Sequence, residues 1–340
     1  MPLLLLIGDT SVPEALGSKL LKGFSEPQAS QKWKVITSYT SPARAYSPSM
    51  KSLRGKIFYR LADKRSWEWW NYQKTLSELI KQKRPGLVLV TGVLPLQTRI
   101  FDKIHEYGGK IVNYLTDDPW NPIHKRYNFL SNLKDYDHIF STKDELQRRL
   151  KTAGCCSTSW LPFAYDPTLH YPVDEPWGKE IVFIGTGARE RLPWLEALSG
   201  LSNTKKTIYG NSWESLNPSG WEKKAAVMGR EYCRTITEAR IVLGLVRKAN
   251  GDQSTDRSYE IGAIGGCGLY QDTAEHRKLL KGYPEAGFFS GYDDLKQKVL
   301  HLLEQPTLQK QLRDIGQAEL QKREHTYAAR LSTILEWFDQ

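Results

Sequence analysis

Short apolar runs alternate with amphipathic stretches along most of the chain. Runs at 2–8, 34–37, 86–91, 110–115, 137–142 and 157–163 are rich in Leu, Val and Ile and read as buried strands. Between them, Trp69, Tyr72, Leu76, Leu79 and Ile80 follow helical spacing and predict a core-facing helix. Further helices are predicted over 96–107, stopped by Gly108-Gly109, and over 143–153. Residues 38–50 form a Ser/Pro-rich loop, and 164–178 hold three prolines without periodicity, which marks a linker. Beyond it the pattern restarts, with strands at 180–185, from Thr207, at 239–246 and at 268–270 and a segment at 287–290. Helices are predicted up to about Leu198, over 232–239, 257–264 and 293–303, and from Pro306 to about Arg323.

That alternation predicts an α/β protein of two Rossmann-like domains facing one cleft. The expected boundaries are 1–172 and 179–325, with a terminal helix over 326–340 carrying Leu331, Ile334, Leu335 and Trp337.

Composition narrows the class. With 340 residues, 40% hydrophobic and 25% charged, the chain suits about two globular domains rather than disorder. The opening Met-Pro-Leu-Leu-Leu-Leu-Ile lacks a basic flank and reads as a strand, not a leader, and no segment reaches the roughly 20 apolar residues of a spanning helix. Cys155, Cys156, Cys233 and Cys267 show no metal-ligand spacing and no disulfide framework, so a reducing cytoplasm is expected. Of the net charge of +10, residues 1–176 carry +8. The first domain is therefore expected to face an anionic or glycan partner or, peripherally, the inner membrane surface. Lys51, Arg54, Lys56, Arg60, Lys64 and Arg65 lead into Trp67, Trp69, Trp70 and Tyr72, a mixture read either as an acceptor or membrane contact or as solvated charge beside core aromatics.

The densest chemistry lies at 247–268. The preceding apolar run is a parallel strand, so this loop leaves a strand's carboxyl end, where open α/β sheets hold ligands. It then feeds a short helix whose N-terminal N–H groups suit a phosphate. Arg247, Lys248 and Arg257 could neutralise phosphates, and Asp252 and Glu260 could each accept a pair of sugar hydroxyls. The alternative is a solvated loop with Glu260 capping its own helix. Upstream, the glycine turn Gly185-Thr-Gly187 follows a strand and could bring backbone N–H groups to a phosphate. In the first half, Asp9, Asp117 and Asp118 stand at strand ends, read either as cleft residues or as turn and helix caps, with His124 nearby.

Residues 257–268, Arg-Ser-Tyr-Glu-Ile-Gly-Ala-Ile-Gly-Gly-Cys-Gly, resemble the donor segment of the CgeB-like glycosyltransferases of the group 1 (GT-B) superfamily. In that superfamily a Glu-x7-Glu pair precedes an Ala-x-x-x-Gly turn, and Asp252-x7-Glu260 aligns with it, with Asp replacing the first Glu. The resemblance implies that Glu260 holds a nucleotide ribose, that Asp252 lies near the donor sugar and that Arg189 meets phosphate. It extends to Asp117-Asp-Pro119, to Tyr209-Gly-Asn211-Ser-Trp213, which would border the base, and to His325-Thr-Tyr-Ala-Ala-Arg330. It implies a nucleotide-diphosphate sugar as co-substrate, with no resident cofactor or metal, and a C-terminal helix crossing back to the first domain.

The expected function is transfer of a sugar to an unidentified acceptor. Retention would need no protein nucleophile; inversion would need a base among Asp117, Asp118, Asp9 and His124. Two other readings stand beside it: a non-catalytic GT-B-like protein that binds glycan or nucleotide and, with less support, a nucleic-acid-binding protein, for which no motif is present.

Overall fold

The computed structural model describes residues 1–25, 32–39, 52–178 and 180–340. Most of the expected 38–50 loop, with Lys51, lies outside the described residues. The chain forms two compact units, one of Met1–Pro162 with Tyr327–Gln340 and one of Phe163–Thr326.

In the first unit six strands, β1 (Leu3–Gly8), β2 (Lys34–Tyr39), β3 (Leu87–Thr91), β4 (Lys110–Leu115), β5 (His138–Ser141) and β6 (Thr158–Trp160), pair in the order β2-β1-β3-β4-β5-β6. Every pairing is parallel. The central strands β1, β3, β4 and β5 are buried along nearly their whole length because helices cover both faces of such a sheet. The helical spacing read around Trp69 is realised in the helix Trp67–Lys83, which buries Trp69, Leu76 and Ile80 and leaves Trp67 and Trp70 exposed. The terminal helix Tyr327–Asp339 packs in this unit: Gly23 lies so close that an added Cβ would stand 2.9 Å from Leu331, and Arg330 donates to the Pro162 carbonyl (2.9 Å).

The second unit repeats the plan with β7 (Ile181–Ile184), β8 (Lys206–Tyr209), β9 (Glu222–Lys224), β10 (Ile241–Gly244), β11 (Gly268–Gln271) and β12 (Phe288–Phe289), in the order β12-β11-β10-β7-β8-β9. Its core gathers Phe183, Trp213, Tyr232, Tyr259, Phe289 and Leu320. Gly262 lets the helix Asp256–Ile264 approach the helix Pro306–Leu320, since a Cβ there would meet Leu320 at 2.4 Å and the Gly316 carbonyl at 2.9 Å. The Pro-rich stretch 164–178 belongs to this unit and is no free tether, because Ala164, Tyr165, Asp166 and His170 are buried.

Strand order fixes where each unit can hold a ligand. In the first sheet the chain reverses its direction of travel between β1 and β3, and in the second between β7 and β10. At such switch points the loops diverge to opposite faces and leave a crevice outside the strands' carboxyl ends.

Candidate functional site in the second unit and a cavity in the first

At the carboxyl ends of β7 and β10 three segments meet. The turn 185–187 packs against 210–213: Gly187 donates to the Asn211 carbonyl (2.8 Å), and the Trp213 indole donates to the Gly185 carbonyl (2.8 Å). A Cβ on Gly187 would stand 2.0 Å from the Ser212 carbonyl, so only glycine fits. Ser212 itself adopts the left-handed region at φ 63. The loop 247–252 joins through Glu190, which accepts the Ala249 amide (2.8 Å).

Around this turn the structure gathers cations. Arg191 is buried and donates to the Thr186 carbonyl (2.6 Å) with its guanidinium over the Phe183 ring. Its pKa is pushed down to about 10, first by burial and then by Arg247, with Arg257 adding to the effect against Glu190 and Asp252. A place where burial and neighbouring guanidinium groups disfavour the charge of Arg191 is one where an anion is favoured. The sequence pointed to Arg189, which stands exposed; Arg191, two residues on, is the buried member, and nothing in local pattern separates the two.

The helix Asp256–Ile264 opens with a reciprocal capping box between Thr255 and Ser258. Ser258 Oγ also lies 2.7 Å from His276 Nε2, while His276 Nδ1 lies 2.7 Å from the Gln271 carbonyl. The carbonyl can only accept, so Nδ1 carries the proton and Nε2 receives the Ser258 hydroxyl. Burial holds His276 at about 4, neutral at pH 7.

Glu260 is fully buried. Its Oε1 stands 3.2 Å from His170 Nε2, its Oε2 accepts from the Tyr232 hydroxyl (2.7 Å), and Arg257 Nη1 closes on the same oxygen. The Arg257 guanidinium also lies over the Tyr232 ring (4.8 Å), and its side chain remains 40% exposed. Glu260 thus fixes Arg257 at the edge of the cationic cluster. His170 and Tyr232 were not legible as site residues: one lies in the aperiodic stretch and the other inside an ordinary amphipathic helix. Asp252 is buried and accepts from Asn250 Nδ2 (3.0 Å), which braces the loop. Arg247 is partly buried, while Lys248 and Asn211 present exposed side chains at the rim.

In the first unit a cavity of about 450 Å³ opens at the β1/β3 switch point, lined by Asp9, Arg65, Thr91, Asp117, His124 and Arg126 among others. Here the Asp-Asp pair divides. Asp117 faces the cavity with Oδ1 3.5 Å from His124 Nε2. Asp118 instead accepts the Trp120 amide (2.9 Å) and faces Arg149 (3.5 Å), as a turn residue does.

Two parallel six-stranded sheets covered by helices, each with one topological switch point, define a GT-B fold. Residues 189–336 match a family model described as glycosyl transferase-like. Sucrose-phosphate synthase from Thermosynechococcus elongatus shares the fold at TM-score 0.66 and 12% identity, over 100% of this chain and 99% of that one. The T4 phage BGT in complex with its UDP-glucose substrate matches at TM-score 0.63 and 13% identity, over 100% of both chains. UDP-GlcNAc 2-epimerase from Neisseria meningitidis, bound to UDP-GlcNAc, matches at TM-score 0.57 and 11% identity over 99% of both. No curated protein sequence matches the chain. Among the described residues no helix is long and apolar enough to cross a membrane, and no group of three His, Cys, Asp or Glu side chains could hold a metal ion.

Proposed function

We propose that the chain is a glycosyltransferase of the CgeB-like type, moving a sugar from a nucleotide-diphosphate sugar bound by the second unit to an acceptor bound by the first, without a metal ion. The observation that carries this reading is the buried Arg191, which donates to the Thr186 carbonyl inside the Gly185–Gly187 turn at the β7/β10 switch point, where Glu190 ties in the loop that carries Arg247 and Lys248. As the glycosidic bond breaks, the departing diphosphate gains negative charge, and preorganised cations and N–H groups are a main source of rate. In this reading Arg191, Arg247, Lys248 and Arg257 hold the diphosphate, while Arg189 and Asn211 border the donor. Asp252 shapes the sugar end, and Glu260, fully buried with both oxygens engaged, acts on the donor by keeping Arg257 in place rather than by meeting the ribose itself. Asp117 serves the acceptor hydroxyl. The UDP-glucose complex of the T4 phage protein supports a UDP-sugar donor.

The test is a thermal-shift panel of UDP, GDP, dTDP and ADP with their sugar conjugates, followed by nucleotide release with acceptor extracts, with and without EDTA. One nucleotide family should raise the melting temperature, Arg191→Gln should abolish that rise, and EDTA should leave turnover intact. No binding by two independent methods would sink the reading. The epimerase similarity motivates a second reading, chemistry on the sugar nucleotide alone; an epimerised product from UDP-GlcNAc without acceptor would favour it. Binding without any turnover would favour a non-catalytic protein.

We further propose a cytoplasmic enzyme docked on an anionic membrane surface. The helix Leu53–Leu61 buries no residue and exposes Leu53 (75%), Ile57 (50%) and Leu61 (84%) on one stripe beside Arg54, Lys56 and Arg60. Cosedimentation with phosphatidylglycerol but not phosphatidylcholine vesicles, lost in Ile57→Ser/Leu61→Ser, is the expected result; vesicle-independent behaviour would remove the docking face.

A further inference from the structure

The cavity of the first unit is built from two segments far apart in sequence. After the helix Leu53–Leu61 the chain takes two consecutive left-handed residues, Asp63 at φ 55 and Lys64 at φ 56. Neither is glycine, and the left-handed region costs an ordinary residue on the order of 1–2 kcal/mol, so tertiary contacts must hold the turn. Asp63 accepts the amides of Tyr127 (2.6 Å) and Asn128 (2.9 Å), and the Lys64 ammonium donates to the Pro122 carbonyl (2.5 Å). These bonds clamp the turn to the loop after β4 and bring Arg65 and Arg126 to one cavity.

Both arginines are braced. Arg65 is 8% exposed, lies over the Trp69 ring at 4.9 Å and donates to the Val93 carbonyl (3.4 Å). Arg126 donates from one nitrogen to the carbonyls of Ile123 (3.1 Å) and Lys125 (2.8 Å). Asp9, Asp117 and His124 share the lining with them. Guanidinium groups fixed by carbonyls and an aromatic face are preorganised to take a phosphate or carboxylate through paired N–H donors. Carboxylates and an imidazole beside them suit hydroxyl groups. A neutral glycan would call for only the second set. The volume is within the usual range for a small-molecule site, roughly 300–1,000 Å³.

We propose that this cavity binds an anionic polyhydroxyl compound, a sugar or polyol carrying a phosphate or carboxylate. The anion lies between Arg65 and Arg126, and the hydroxyls meet Asp9, Asp117 and His124. The proposal rests on the reading of the first unit as the acceptor side of a transferase and narrows that acceptor to an anionic class. Thr91 and Gly92 form the floor, where β3 ends and Gly92 turns away at φ 71.

The experiment is calorimetry on the full chain with glucose 6-phosphate, glucuronate, inorganic phosphate and glucose, and with UDP in parallel. The charged sugars should bind at least about tenfold more tightly than glucose, and inorganic phosphate should compete with them. Arg126→Gln, at a partly buried position, should weaken the charged sugars by about tenfold or more and leave UDP affinity unchanged. Arg65→Gln should do the same, with its UDP affinity reporting that the chain is folded. Vesicles of phosphatidylglycerol and of phosphatidylcholine separate the sources: Arg126-dependent capture by the first alone, with no binding of free sugars, would assign the anion to a lipid headgroup. Charged sugars binding no better than glucose, without Arg126-dependent vesicle capture, would overturn the proposal, as would anion binding unchanged in Arg126→Gln. Anion binding without UDP binding would leave the cavity standing and remove the transferase reading; the converse would remove only the cavity.

Discussion

Replacing Glu260 by alanine tests how the buried network of the second unit holds together. The carboxylate is fully buried and serves the His170 ring, the Tyr232 hydroxyl and Arg257 at once. Tyr232 is buried, and burial, followed by the Glu260 charge, raises its pKa far above 10 against the opposing effect of Arg257, so its hydroxyl stays a neutral donor. Without Glu260 that donor loses its acceptor in a desolvated place, at roughly 1–3 kcal/mol, and His170 loses a comparable contact. Arg257 adds less, because its partly exposed side chain can turn to water. The sum, about 2–6 kcal/mol, brackets the roughly 3–5 kcal/mol usual for removing one partner of a buried ion pair, and that narrower range is the expected loss. A unit of this size loses roughly 2–4 °C per kcal/mol, so a fall of about 6–20 °C is expected. Denaturation in urea, with Glu260→Gln as the shape-preserving control, measures it. A Glu260→Ala chain within 1 kcal/mol of wild type would refute the reasoning. UDP affinity supplies the functional half. If Glu260 acts through Arg257, the double variant with Arg257→Gln loses no more affinity than Arg257→Gln alone. Additive losses would instead indicate that Glu260 meets the ligand itself.

Two further outcomes follow from named residues. Burial lowers His276 from 6.5 to about 4, so the folded state favours the neutral ring. The stabilisation is complete above the unfolded value near 6.5 and is lost as pH falls from there through about 4, on the order of 3 kcal/mol in all; His138 in the first unit is lowered to about 4 for the same reason. Urea unfolding at pH 7.5 and 5.0 should show the first part of this loss, and His276→Gln should reduce the slope while His138 keeps its share; an equal pH slope in the variant would remove His276 as a source. Gly187→Ala forces a methyl to within 2.0 Å of the Ser212 carbonyl. It should displace the 185–187 turn and, on the proposed reading, abolish the nucleotide-induced thermal shift, whereas a shift equal to wild type would mean the turn does not meet the nucleotide.

The sequence by itself determined what depends on neighbours along the chain. Apolar runs became strands because a sheet covered on both faces needs continuous apolar segments. Gly265-Gly266 ended the helix Asp256–Ile264, as the glycine pair predicted. The edge strand β9, Glu-Lys-Lys, escaped because exposed polar residues carry no strand period. The strand order, and with it the two switch points, came from long-range pairing. The tertiary structure alone brought His170 out of an aperiodic stretch to Glu260, chose Arg191 over Arg189, separated Asp117 from Asp118 and joined Arg65 to Arg126. Each of these rests on contacts between residues distant in the chain, which local periodicity does not encode; the free energy of packing two covered sheets selects them.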